Sequence, residues 1–226
     1  MNDTAGQGSE QQAVVISVRG DAFAEAPAER ATVSLTVGFD GAERHDVRER
    51  STAALGECIG SIASLHEPEA GPVVTWTADD VQVWADRPWN TEGAQLPLVY
   101  HSRANVTVTF SDFPRLSLWL EDTANRDGIS VGGVSWTVSD LTRRELEARA
   151  QRDAVAHALD KATVYAASLG LGTVTPRELS EPATLAHPLV VREDARMFSV
   201  AGPSVDLAPA PVRVDVDVHL RFTAEA

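Results

Sequence analysis

Asp215, Asp217 and His219 are the nearest this chain comes to a metal-ligating pattern. They stand at i, i+2 and i+4 in a segment that alternates apolar and polar residues, so on a strand they share one face. Same-face neighbours on a strand lie roughly 6.5–7 Å apart, a spacing at which Asp217 and His219 can share one metal ion. Arg213 and Arg221 flank the same face, and guanidinium groups compete for the same carboxylates. Two readings stand side by side: a solvated face of acid–arginine pairs, or a metal held by Asp217 and His219.

Cys58 is the single cysteine, which excludes an intramolecular disulfide and a cysteine-rich zinc site. It recurs with Leu55, Ile59 and Ile62 on one helical stripe, so a buried, inert thiol is expected rather than a reactive one. The histidines, His45, His66, His101, His157, His187 and His219, are scattered. No G-x-S-x-G, H-E-x-x-H or phosphate-cradling glycine loop occurs. Gly132-Gly133 precede a strand rather than a helix and read as a bulge or a close packing contact. No catalytic residue and no cofactor is assigned.

The aromatic candidates cluster between residues 84 and 100. Trp84 falls on the opposite strand face from Val81 and Val83, with Trp89, Leu96, Leu98 and Tyr100 nearby. If the valines face the core, Trp84 faces outward, and an outward aromatic on a long hairpin is an interface anchor. Trp84, Trp89 and Tyr100 are therefore interface candidates. The competing reading buries both faces under a proline-rich stretch at about 182–211, where Trp89, Tyr100 and His101 would line a pocket for a small ligand.

These groups must be positioned by an acidic chain of 226 residues. Lys+Arg number 19 against Asp+Glu 33, a formal net charge of −14. That balance argues against nucleic-acid partners and against docking on an anionic membrane. Hydrophobic residues at 43% and charged residues at 23% are ordinary globular composition. The first 12 residues, MNDTAGQGSEQQ, lack the basic and apolar regions of a secretory signal and read as a disordered arm. No stretch approaches the ~18 apolar residues of a membrane span, so a soluble, cytoplasmic protein is expected.

Periodicity orders the rest. A strand at Val14–Arg19 is stopped by Gly20, and a second carries Val33, Leu35 and Val37 between Thr32, Ser34 and Thr36. A helix from Glu43 buries Val47, Leu55, Cys58, Ile59, Ile62 and Leu65, and a strand at 80–85 forms a hairpin with one at 98–110. Ser111 or Asp112 caps a helix whose stripe is Leu116, Trp119, Leu120 and Thr123. After a strand through Val134, Trp136 and Val138, Asp140 caps the longest helix. Its expected stripe is Ala148, Val155, Leu159, Ala162, Ala166 and Leu169, small enough to lie close on a sheet. Prolines make 173–211 irregular, and the chain closes on a strand through Val212, Val214, Val216, Val218, Leu220 and Phe222. The order β-β-α-β-β-α-β-α-β predicts an α+β fold, antiparallel sheets packed against helices, in one domain over 13–226.

The opening VISVRGDAFAEAPAERATVSLTV resembles the start of a SIMPL domain, a bacterial family. The stretches YHSRANVTVTFSDFPRLSLWLEDT, GISVGGVSWTVSD and ARAQRDAVAHALDKATVYAASLGL are similar to it in the same order. The resemblance runs from about Val14 to Glu181, and the terminal strand fits the family's last strand. It implies an α+β fold, no established enzyme activity and no catalytic residues. In periplasmic immunogenic members it implies assembly into large ring- or channel-like oligomers. Many members carry a leader that this sequence does not show, and the proline-rich stretch is longer than the family's usual excursion. The expectation is a non-enzymatic, homo-oligomeric scaffold or binding module. The alternative, from the pocket reading, is a small-ligand-binding protein or an enzyme.

Overall fold

Alternating valine and threonine build the long strands that organise the molecule. The computed structural model describes residues 13–67, 71–181 and 207–225. The expected N-terminal arm and most of the proline-rich stretch, with His187, lie outside the described residues. The chain divides into two compact units, one drawn from 13–26, 140–181 and 213–225, the other from 27–139 and 207–212.

In the second unit, β2 (Arg30–Val37) lies between β6 (Val99–Phe110) and β7 (Ile129–Thr137), antiparallel to both. The two-residue β3 (Asp40–Gly41) pairs with β6 on the same side as β2, and β4 (Val73–Ala78) and β5 (Gln82–Asp86) pair with β6 as well. Register sets Val33, Leu35 and Val37 opposite Val108, Val106 and Ala104, a face that helices α1 (Arg44–Ala63) and α2 (Phe113–Ala124) cover. Helix α1 buries Val47, Ser51, Leu55, Cys58 and Ile62. Helix α2 buries Leu116, Trp119, Leu120 and Thr123, as the spacing predicts, and Asp112 caps it by accepting from the Arg115 amide. Burial also pushes the Cys58 thiol up from its ordinary pKa, which keeps it protonated and inert.

The other face of this sheet is a field of hydroxyls. Thr32, Ser34 and Thr36 stand opposite Thr109, Thr107 and Asn105, and β4 adds Thr75 and Thr77 beside Thr109 and Thr107. The Thr32 and Thr109 hydroxyls are 2.9 Å apart, and Thr36 donates to Asn105, whose amide donates to Asp79 at 3.0 Å. The register shift beside Gly132 explains the first of the paired glycines. A side chain at 132 would meet the Ser34 carbonyl oxygen at 2.8 Å.

The first unit is a three-stranded sheet in the order β1 (Val14–Ala26), β9 (Val212–Ala224), β8 (Thr175–Ser180), packed against helix α3 (Asp140–Ser168). Here the sequence expectation needs correction. The buried stripe of α3 is Leu146, Ala150, Ala154, Ala158, Ala162 and Ala166, whereas Leu159 and Leu169 are exposed. The reason is backbone proximity. A Cβ added at Gly20 would lie 2.0 Å from the Ala154 carbonyl oxygen and 2.8 Å from the Ala158 methyl. Only alanines fit under such an approach, so the leucines turn outward. Gly20 consequently does not stop β1, which runs straight through it.

Strands β3, β4 and β8 are additions to the expected order. Every residue of β8 is exposed, so it carries no apolar alternation to announce it, and β4 follows directly on Pro72. The fold is nonetheless the expected mixed α+β, with antiparallel sheets against helices.

Candidate functional site

One end of the hydroxyl-bearing sheet gathers chemistry from three strands. Register places Trp84 of β5 and Asp40 of β3 both directly opposite His101 of β6. The indole and imidazole stack with centroids 5.5 Å apart at 25°. His101 Nδ1 lies 2.6 Å from Asp40 and Nε2 lies 3.3 Å from Asp86. An imidazole donates from both nitrogens only as imidazolium. The hydrogen bond to Asp40, then that to Asp86, accordingly raises the His101 pKa above its ordinary value.

The floor beside this cluster is held by small, specific contacts. Gly38 donates to the Gly128 carbonyl at 2.8 Å. Gly128 has φ +75°, and a Cβ there would strike the Phe39 ring at 2.1 Å, so glycine is needed both for the turn and for the ring. The Arg50 guanidinium covers Phe39 with 4.3 Å to the ring centroid. Buried Ser102 accepts from the Phe39 amide, donates to the Phe39 carbonyl, and is hydrogen-bonded to buried Ser51. Above this floor opens a cleft of about 620 Å³ whose lining includes Phe39, Arg50, Trp84, Arg103, Asp127 and Ser130.

The sequence-read candidates divide between this site and other places. Trp84 faces outward, 46% exposed, at the cleft wall. Trp89, 66% exposed, sits in the hairpin bend, where it bridges Gln95 and does not line the cleft. Tyr100 is partly buried between Gly41 and Ala85, on the strand face opposite His101. Trp84 lines this cleft while Trp89, Tyr100 and His101 do not, and most of the proline-rich stretch expected to cover those three lies outside the described residues. Asp40, Asp86, Phe39 and Ser102 escaped the sequence reading, because Asp40-Gly41 looks like a turn. Their signal is strand register: once β5 and β6 are paired, His101 must meet Trp84.

The polar face of β9 assembles differently. Arg19 of β1 donates from Nε and Nη2 to Asp217 at 3.0 and 2.7 Å. Arg213 holds Asp215 at 2.6 Å, and Arg221 holds Glu178 of β8 at 3.0 Å. His219 is exposed beside Ser180 and makes none of these pairings. Among the described residues no group of three or more His, Cys, Asp or Glu side chains is arranged to hold a metal ion.

Comparison with known proteins gives no match among curated sequences. The SIMPL family profile, described as a protein of unknown function (DUF541), matches residues 16–222 of the 226. With nearly its whole length matched, from within β1 to within β9, the chain belongs to the SIMPL family.

Proposed function

We propose that this protein is a non-enzymatic binding module that self-associates through the β5–β6 hairpin. The observation that supports it is that this arm leaves three large apolar side chains, two of them tryptophans, open to water. Trp84, Trp89 and Leu96 are 46%, 66% and 40% exposed. Solvent-facing tryptophans of this kind anchor interfaces, since each removes a large apolar area from water on association. Among the described residues strand β5 pairs with β6 alone, so its outer edge offers backbone groups to a neighbour. The non-enzymatic reading draws on Ser102, a buried hydroxyl engaged with the backbone and with Ser51 rather than with a base. A cytoplasmic location belongs to the same proposal, and no helix among the described residues is long and apolar enough to cross a membrane.

Size-exclusion chromatography with light scattering tests it. The wild type is expected at a discrete multiple of 24.2 kDa, and the Trp89→Ser/Leu96→Ser variant at a lower mass. A wild-type mass of one chain refutes self-association. An unchanged multiple in the variant removes the hairpin bend from the interface.

The cleft beside Trp84 favours a second reading, a small-ligand site. Its volume of about 620 Å³ falls in the range of small-ligand sites, and its lining sets the open Trp84 ring among polar groups. A ligand seated there raises the melting temperature by mass action.

A further inference from the structure

We infer that the cleft and the hydroxyl-bearing sheet face running from it form one binding surface for a neutral saccharide chain. This rests on the small-ligand reading of the cleft and names the ligand class.

Trp84 supplies the platform. One face of its indole is occupied by His101, which is itself pinned by Asp40 and Asp86, yet the residue stays 46% exposed. The remaining electron-rich ring surface suits the polarised C–H bonds on the flat face of a pyranose. The stacked, carboxylate-held imidazole keeps the indole in one orientation, so little freedom is lost when a ring settles on it.

The sheet supplies the rest. Thr36 and Ser130, which line the cleft, face each other across β2 and β7, and Thr36 pairs with Asn105 in the next strand. From there the rows of threonine and serine hydroxyls continue along β2, β6 and β4. Neighbouring rows are set by strand geometry, about 4.8 Å across and about 7 Å along. The distance from His101 to Thr109 along β6 is roughly 27 Å at ~3.4 Å per residue, long enough for several sugar rings. Each hydroxyl both donates and accepts, as each sugar hydroxyl does, so the surface can match a polyol without placing an unpaired charge against it.

Charge rules on the alternatives. The cleft lining holds two arginines, Arg50 and Arg103, and two aspartates, Asp40 and Asp127, so it carries no excess of formal charge to select an anion or a cation. The chain's formal charge of −14 repels polyanions. An apolar peptide segment finds Trp84 and the arginine-covered Phe39 at the end of the face and threonines beyond them, too little to bury.

The test uses the full chain. Cellohexaose and chitohexaose, both neutral, and a galacturonic acid hexamer, anionic, are titrated by calorimetry and tryptophan fluorescence. Binding of a neutral hexamer is expected, with weaker binding of the corresponding free monosaccharide and none of the anionic chain. Trp84→Ala should weaken it by about tenfold or more. Thr107→Val/Thr109→Val, nearly isosteric replacements, should weaken the hexamer several-fold while leaving the monosaccharide unchanged. Light scattering and circular dichroism on the same samples separate loss of binding from loss of assembly or fold. Silence of both neutral hexamers, equal binding of the anionic chain, or binding indifferent to Trp84→Ala overturns the inference. A parallel thermal-shift panel of non-saccharide metabolites separates the two levels. A hit there that Trp84→Ala removes, with the hexamers silent, overturns the saccharide assignment and preserves the cleft as a site; silence throughout removes both.

Discussion

In β9, Asp217 and His219 stand two residues apart on one strand; in the other sheet, Asp40, Asp86 and His101 arrive from three strands. The residue types are the same and the outcomes differ. Two residues along a strand separate same-face side chains by roughly 7 Å, a gap that a long arginine spans, as Arg213 does to Asp215, but that the shorter Asp217 and His219 do not, whereas directly paired residues on adjacent strands lie at about 4.5–5.5 Å. Asp217 therefore turns to Arg19 on its neighbouring strand and leaves His219 alone. His101, with Asp40 opposite it and Asp86 within reach of its other nitrogen, gains both carboxylates. The first unit closes its chemistry on itself: arginines neutralise its polar face and an alanine row seals its helix face. The second unit gathers charge and an aromatic ring at the end of an open face. In a sheet, function is assembled across strands, and register rather than spacing decides what meets.

The largest effect should come from breaking the sealed face. Gly20→Val forces a branched side chain against the Ala154 backbone oxygen, which cannot rotate away. A loss of about 3 kcal/mol or more is expected in denaturant unfolding, because overpacking against backbone exceeds the usual penalty for side-chain crowding. Displacing β1 also carries Arg19 away from Asp217. A change under about 1 kcal/mol would mean that α3 and β1 separate easily, and the closed character of this unit would be lost.

An intermediate effect is expected at the open face. His101 has a raised folded-state pKa, so its contribution to stability is fully present below its ordinary 6.5 and is lost as pH rises through the folded value. Asp40→Asn should bring the NMR titration midpoint of His101 down towards 6.5 and narrow that window from its alkaline side. Asp86→Asn should move it less, since its contact is 3.3 Å against 2.6 Å. Equal shifts would overturn the ranking of the two acids, and no shift in either variant would mean that the imidazolium is not held between them.

The smallest effect belongs to β9. Arg19 and Asp217 are 59% and 38% exposed, and exposed pairs contribute little. Arg19→Gln should change the melting temperature slightly, and the difference should vanish at about 1 M salt. A large, salt-resistant loss would make this face a structural centre and erase the contrast with His101.

How far the residues announce all this varies by element. The stripe of α2, from Leu116 to Thr123, was fully legible, because large apolar residues at steps of three and four have one way to be buried. The stripe of α3 misled. Its leucines outweigh its alanines in any hydrophobic pattern, and the alanines are buried only because β1 brings a glycine backbone against them. Strand β8 was illegible, since all its residues face water and only the hydrogen bonds of β9 make it a strand. Trp84 could be placed outward from its parity with Val81 and Val83, but its partner could not be named. His101 is 17 residues away, and only the pairing of β5 with β6 brings the two rings together.

Local order alone determined the helix and strand periods, the burial of Cys58, the α+β class and the acidic charge, because each depends on neighbours within a turn or two of chain. The tertiary structure decided which alanines are buried, which arginine takes Asp217, and that Asp40, Trp84 and Asp86 converge on His101. Those outcomes depend on strand register and on backbone approach, distances set by the packing of segments far apart in the chain, which no local pattern encodes.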